Sequence, residues 1–73
     1  MQSDLWFYTE GRKVYSLDVM ITNGKYKVGN RKKLYITAKY INFAKTIASN
    51  LNLNRGIANE RNADGSIDTL ISK

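Results

Sequence analysis

Ten residues from Lys13 to Thr22 alternate in character between two short glycine-containing turns, and this arrangement leaves the first third of the chain few ways to fold. Gly11-Arg12 suits a two-residue hairpin loop with glycine first, the type II′ preference. Asn23-Gly24 is the strongest short-range hairpin signal, a type I′ turn. Strands are therefore expected over Asp4 to Glu10, Lys13 to Thr22 and Lys25 to Val28. The first of them, with Leu5, Trp6, Phe7, Tyr8 and Thr9, is also β-prone by composition. The Gly11-Arg12 loop sets Glu10 opposite Lys13, Tyr8 opposite Tyr15 and Trp6 opposite Leu17. The Asn23-Gly24 loop sets Ile21 opposite Tyr26 and Val19 opposite Val28. Directly opposed residues share a face, so one face collects Trp6, Tyr8, Tyr15, Leu17, Val19, Ile21, Tyr26 and Val28. Two turns assigned independently give one apolar surface, which supports the register. The other face holds Leu5, Phe7, Thr9, Val14, Ser16, Asp18, Met20, Lys25 and Lys27.

A helix is expected from Thr37 to Leu51. Tyr40, Ile41, Phe43, Ala44, Ile47, Ala48 and Leu51 follow the spacing of one buried helical stripe. Thr37 can serve as N-cap. Asn50, Asn52 and Asn54, with Gly56 beyond, suggest where the helix frays and stops. Tyr40, Phe43, Ile47 and Leu51 read as core residues, and the helix is expected on the Trp6/Leu17/Val19 face of the sheet. Gly29 to Lys33 reads as a polar, mobile loop, and Leu34 to Ile36 as extended chain able to add a short strand. Gly56 to Asn62 is weakly patterned. Asp64-Gly65 is a turn signal, with Ser66 to Ser72 as a final strand carrying Ile67 and Ile71 on one side; a disordered, Asn-rich tail is the competing reading.

The expected fold class is α+β: a small antiparallel sheet, built as a three-stranded N-terminal meander and open to extension by a C-terminal hairpin, with one helix on one face. At 73 residues a single small domain is expected, with a thin margin of stability. The chain has no cysteine, histidine or proline. No disulfide can form, no thiolate can hold zinc, and the commonest general base is missing. Nucleophile–base pairs of the usual kinds are absent, the carboxylates are scattered, and the glycines form no phosphate-cradling motif. No enzyme activity, catalytic residue, metal or cofactor is expected. Asp64 and Asp68 are four apart, but around Gly65 they read as a hairpin. No membrane-spanning run or signal-peptide pattern is visible, and a cytoplasmic setting is expected.

Charge is what points toward function. The net charge is +6, but from Gly11 to Arg55 ten basic residues face a single acidic one, Asp18, a local balance of +9. A concentrated field of one sign favours an anionic partner, against the plainer reading of a solubility charge. Lys25, Lys27, Arg31, Lys32, Lys33, Lys39 and Lys45 are the candidate contacts to nucleic acid, DNA or RNA, through phosphates rather than bases. No nucleic-acid-binding motif accompanies them. Three strands followed by a helix are similar in order to the arm-binding domains of phage integrases. That resemblance implies a sheet entering the major groove; Phe7 and Met20 stand here where Arg or Asn would be wanted for base readout. The alternative is a protein-binding module, a phage-type inhibitor or modulator of a host nucleic-acid enzyme or a homodimer. Its anchors would be Leu5, Phe7 and Met20 on the second sheet face, against an acidic protein surface or a second copy. The abundance of Asn, Lys, Ile and Tyr, all with AT-rich codons, fits a phage or low-GC bacterial origin.

Overall fold

The computed structural model describes residues 4–22 and 25–69. Six strands and one helix follow one another as β1 (Asp4–Glu10), β2 (Lys13–Thr22), β3 (Lys25–Val28), β4 (Lys33–Thr37), α1 (Ile41–Asn54), β5 (Ile57–Arg61) and β6 (Ser66–Thr69). The fold is α+β, with all strands antiparallel in one sheet. The register of the meander is the one the turns dictate. Glu10 pairs with Lys13, Tyr8 with Tyr15 and Trp6 with Leu17; Val19 pairs with Val28 and Ile21 with Tyr26. Gly11 has φ +64°, a backbone region glycine enters without a Cβ penalty, which lets the first hairpin close in two residues. The Asn23-Gly24 turn lies outside the described residues, although the Thr22–Lys25 pair on either side leaves room for a two-residue loop.

The sheet runs β1-β2-β3-β6-β5. Its first and last strands approach each other, because the Trp6 indole Nε1–H donates to the Ala58 carbonyl at 3.0 Å. The sheet is thus curled into a half-closed barrel. Trp6, Leu17, Val19, Ile57 and Ile67 fill it, with Tyr8, Tyr26, Val28 and Ala58 packed around them. β5 and β6 therefore cover the Trp6 face, and the helix does not. The helix lies on the opposite face, where Ala44 and Ala48 meet Phe7, Val14 and Ala38, flanked by Leu5, Ile47 and Leu51. Phe7 is only 3 % exposed. The expected helix side is corrected accordingly, and so is Phe7 as an exposed protein anchor. Leu5 is half-buried beside it, and of the three expected anchors only Met20 is exposed. Hairpin periodicity sorts residues into two faces; it does not say which face a helix will choose.

The start of the helix and its buried stripe also differ from expectation, while its end and the C-terminal hairpin do not. The helix starts at Ile41, with Tyr40 as N-cap and no side-chain cap. Thr37 belongs to β4, paired with Lys13, and the Ala38 N–H donates to the Arg12 carbonyl at 2.7 Å. Ladder pairing to β2 has won over a local cap. The helix runs three residues beyond Leu51 and stops at Asn54, with Arg55 as C-cap and Gly56 at φ +73° beyond it, where the Asn residues and Gly56 suggest its end. The buried stripe is Ala44, Ala48 and Asn52, three positions four residues apart, so the helix approaches the sheet closely on small side chains. Tyr40 and Phe43, read from the sequence as core, are 64 % and 57 % exposed. Finally, β5 occupies the weakly patterned stretch, and β6 completes the C-terminal hairpin as far as Thr69. The expected position of Ile71 lies outside the described residues.

Asn52 closes the seam between helix and sheet. It is buried, and its Oδ1 accepts from the Phe7 N–H at 2.9 Å while its Nδ2 donates to the Phe7 carbonyl at 2.8 Å. The amide thus bonds the free edge of β1 much as another strand would. Nδ2 also reaches Asn59 Oδ1 at 3.2 Å, and Asn59 Nδ2 donates to Ser49 Oγ at 2.9 Å. These side chains join β1, α1 and β5 where no backbone ladder does.

Candidate functional site

β2 is long enough to pair with two strands along one edge: β3 opposite its end and β4 opposite its start. The chain between them, Gly29 to Lys32, bows out of that edge and carries the basic run. Asp18 holds the bow in place. Its carbonyl accepts from the Gly29 N–H at 2.7 Å, and its carboxylate Oδ1 accepts from the Arg31 N–H at 2.9 Å. A Cβ on Gly29 would overlap that carboxylate, so a larger residue there would displace the Asp18 side chain from its present position. Lys32 is fixed as well. Its Nζ is 3.0 Å from Glu10 Oε2 and 4.4 Å from the centroid of the Tyr15 ring. The hydrogen bond to Glu10 raises the Lys32 pKa above its ordinary value. The expected polar loop is thus pinned at two points, with Arg31 and Lys33 on either side of the anchored Lys32.

The seven candidate cations are all exposed, and they fall into three groups. Lys25 and Lys27 stand on β3, Lys27 opposite Met20 on one side and Ser66 on the other. Their charges help lower the Asp64 pKa, although the Ser66 hydroxyl and N–H, both donating to that carboxylate, contribute more. Arg31, Lys32 and Lys33 form the loop group. Lys39 and Lys45 belong to the start of the helix, where Lys39 Nζ lies 6.0 Å from the Tyr40 ring centroid. Lys32–Glu10 is the one ion pair among the described residues, so the other six candidates carry no carboxylate partner there.

Between the loop and helix groups the chain carries an unexpected run of exposed apolar residues. Leu34, Tyr35, Ile36, Tyr40, Ile41 and Phe43 are all exposed within ten residues of chain. Every residue of β4 is exposed. β4 pairs with β2 alone among the described strands, so its other edge is open. Tyr35 is the extra residue at the irregularity between Val14 and Tyr15, and its ring meets Phe7 edge-on with centroids 5.2 Å apart. Sequence reasoning assigns Tyr40 and Phe43 to the core because large apolar residues at helical spacing usually pack. The signal that could have freed them is the Ala44/Ala48 pair, which offers a narrower contact face.

Two further arginines are placed by aromatic faces. Arg61 lies 5.6 Å from the Trp6 ring centroid and Arg55 lies 5.2 Å from that of Phe7. Trp6, Tyr8 and Tyr15 stack in sequence at 5.5 and 5.8 Å. With Arg61 at one end and Lys32 at the other, this column uses two cations structurally. The hairpin register already sets the three rings on one face, whereas the cation contacts join segments distant in the chain that no local spacing announces. A groove of about 530 Å³ runs between β1, α1 and β5, with Tyr8, Thr9, Lys45, Ser49 and Asn59 in its lining. Among the described residues no cluster of acidic side chains is arranged to hold a metal ion, and no helix is long and apolar enough to cross a membrane. Compared with protein-family models, with curated proteins and with solved structures, the chain matches none.

Proposed function

We propose that the chain is a non-catalytic module that binds nucleic acid through the Arg31–Lys33 loop and the start of α1. The observation that carries this reading is the loop's geometry: Asp18 bonds its backbone at Gly29 and Arg31, Lys32 pairs with Glu10, and Arg31 and Lys33 extend from it without a carboxylate partner among the described residues. Cations on a loop already held by backbone hydrogen bonds neutralise phosphates at less cost in chain entropy than cations on an untethered one. Contacts of this kind position a backbone and do not read bases. The mode resembling integrase arm-binding domains finds no support, since β5–β6 pack on Trp6, Leu17 and Val19 of one sheet face and α1 packs on Phe7 and Val14 of the other.

The double variant Arg31→Ser/Lys33→Ser tests the reading. The slope of log K against log salt should fall by up to about 2, since each phosphate left without its cation removes about 0.9 on duplex DNA and about 0.7 on a single strand. Lys32→Ser should change the slope less, because that ammonium is engaged by Glu10 and Tyr15. An unchanged slope in the double variant would count against the loop as the binding element.

A protein partner is the second reading, favoured by the open edge of β4 and by Leu34 and Ile36, aliphatic side chains exposed on its two faces. Exposed apolar patches mark protein interfaces, and the surrounding lysines would suit an acidic surface. Binding of that kind would depend only weakly on salt.

A further inference from the structure

Resting on the nucleic-acid reading, we infer that the ligand is a single strand, whose unpaired bases stack on Tyr35, Tyr40 and Phe43 while Lys33 and Lys39 meet its phosphates. The three rings are 54 %, 64 % and 57 % exposed, and the core does not need them, since Ala44, Ala48 and Asn52 make the helix contact. Two of the rings have a lysine at hand: Lys33 precedes Tyr35 by two residues on β4, and Lys39 Nζ lies 6.0 Å from the Tyr40 ring centroid. A nucleotide presents the same pair of features, a flat base and a phosphate. Every base has a π-face, so an aromatic platform of this kind accepts a strand without reading its sequence. A duplex keeps those faces inside its stack and can offer this surface only phosphates. The rings are also partly prearranged. Tyr35 is braced edge-on by Phe7, at an interplanar angle of 74°, and Lys39 lies near the face of Tyr40. One ligand class thus accounts for two features that charge alone leaves separate: cations without carboxylate partners, and aromatic rings left in water.

The test uses fluorescence anisotropy with a labelled homopyrimidine single strand and a duplex of equal length, at matched low salt. Wild type should prefer the single strand. Tyr40→Ala and Phe43→Ala should each weaken single-strand binding, by roughly 5-fold to 150-fold for a stacked base. Neither should change the salt slope or the affinity for duplex. Lys33→Ser/Lys39→Ser should instead lower the slope on both ligands. The substituted side chains are exposed, so thermal melting should show each variant folded. Equal binding of both ligands, unaffected by the aromatic variants, would overturn the single-strand inference and leave the nucleic-acid reading standing. No binding to either ligand at low salt would overturn both.

Discussion

Single side chains hold this fold where backbone pairing stops, and Asn52 is the clearest of them. Both amide groups are engaged, and the partners are the buried N–H and carbonyl of Phe7. Asn52→Ala should leave two groups unpaired, at about 1–3 kcal/mol each. Asn52→Asp should also destabilise, because a carboxylate can accept from the Phe7 N–H but cannot donate to the Phe7 carbonyl. Denaturant titration of both variants checks this; wild-type stability in either would show that the seam does not depend on the amide. Trp6 is a second such residue, 5 % exposed and bonded to Ala58. Trp6→Ala should cost roughly 3–5 kcal/mol, enough to unfold so small a domain. The importance of Trp6 is legible in the sequence, because the hairpin register places it on the apolar face. Asn52 is not legible: a polar residue in an Asn-rich stretch gives no sign that it will be buried.

At the scale of elements, strand pairing is readable from the sequence and helix placement is not. Turn chemistry is local, so Gly11-Arg12 and Asn23-Gly24 specify which residues oppose one another before any tertiary contact forms. Helix docking depends on which face the last two strands cover, and β5 hides among Asn59, Glu60 and Arg61 with only Ile57 and Ala58 as apolar signals. The result is a testable contrast along α1. Phe43→Ser should change stability by no more than about 0.5 kcal/mol, as for an ordinary surface position. Ala44→Leu should cost about 1–3 kcal/mol by overpacking against Phe7 and Val14. The reverse ranking in thermal melts would restore the large-residue stripe as the core. The C-terminal hairpin carries its own prediction. The Ser66 hydroxyl and N–H hold the Asp64 pKa below the ordinary aspartate value of about 3.9. A depressed folded-state pKa means that its stabilising contribution is complete above the ordinary value and is lost as pH falls through the depressed one. The β5–β6 hairpin should therefore loosen in acid, and Asp64→Asn should remove this part of the pH dependence. A variant that follows wild type across that range would argue against the Asp64–Ser66 contact as its source.

For the molecule as a whole, the sequence exposes the charge and conceals the surface on which it acts. Ten cations against one carboxylate between Gly11 and Arg55 are plain from composition. That Asp18 would pin their loop, or that Lys32 would be taken up by Glu10 and Tyr15, depends on contacts between distant strands. Tyr40 and Phe43 escape sequence reasoning for a related reason: periodicity reports amphipathicity, and it cannot tell a face that packs from a face that waits for a ligand. The most direct measurement is a titration of labelled nucleic acid with the wild-type protein across a series of salt concentrations, beginning at low ionic strength where phosphate contacts are strongest. The expected result is measurable binding on unrelated sequences, with log K falling linearly against log salt. Absence of binding at the lowest salt, or affinity that ignores salt, would contradict a nucleic-acid ligand and turn the exposed stretch from Leu34 to Phe43 toward a protein partner.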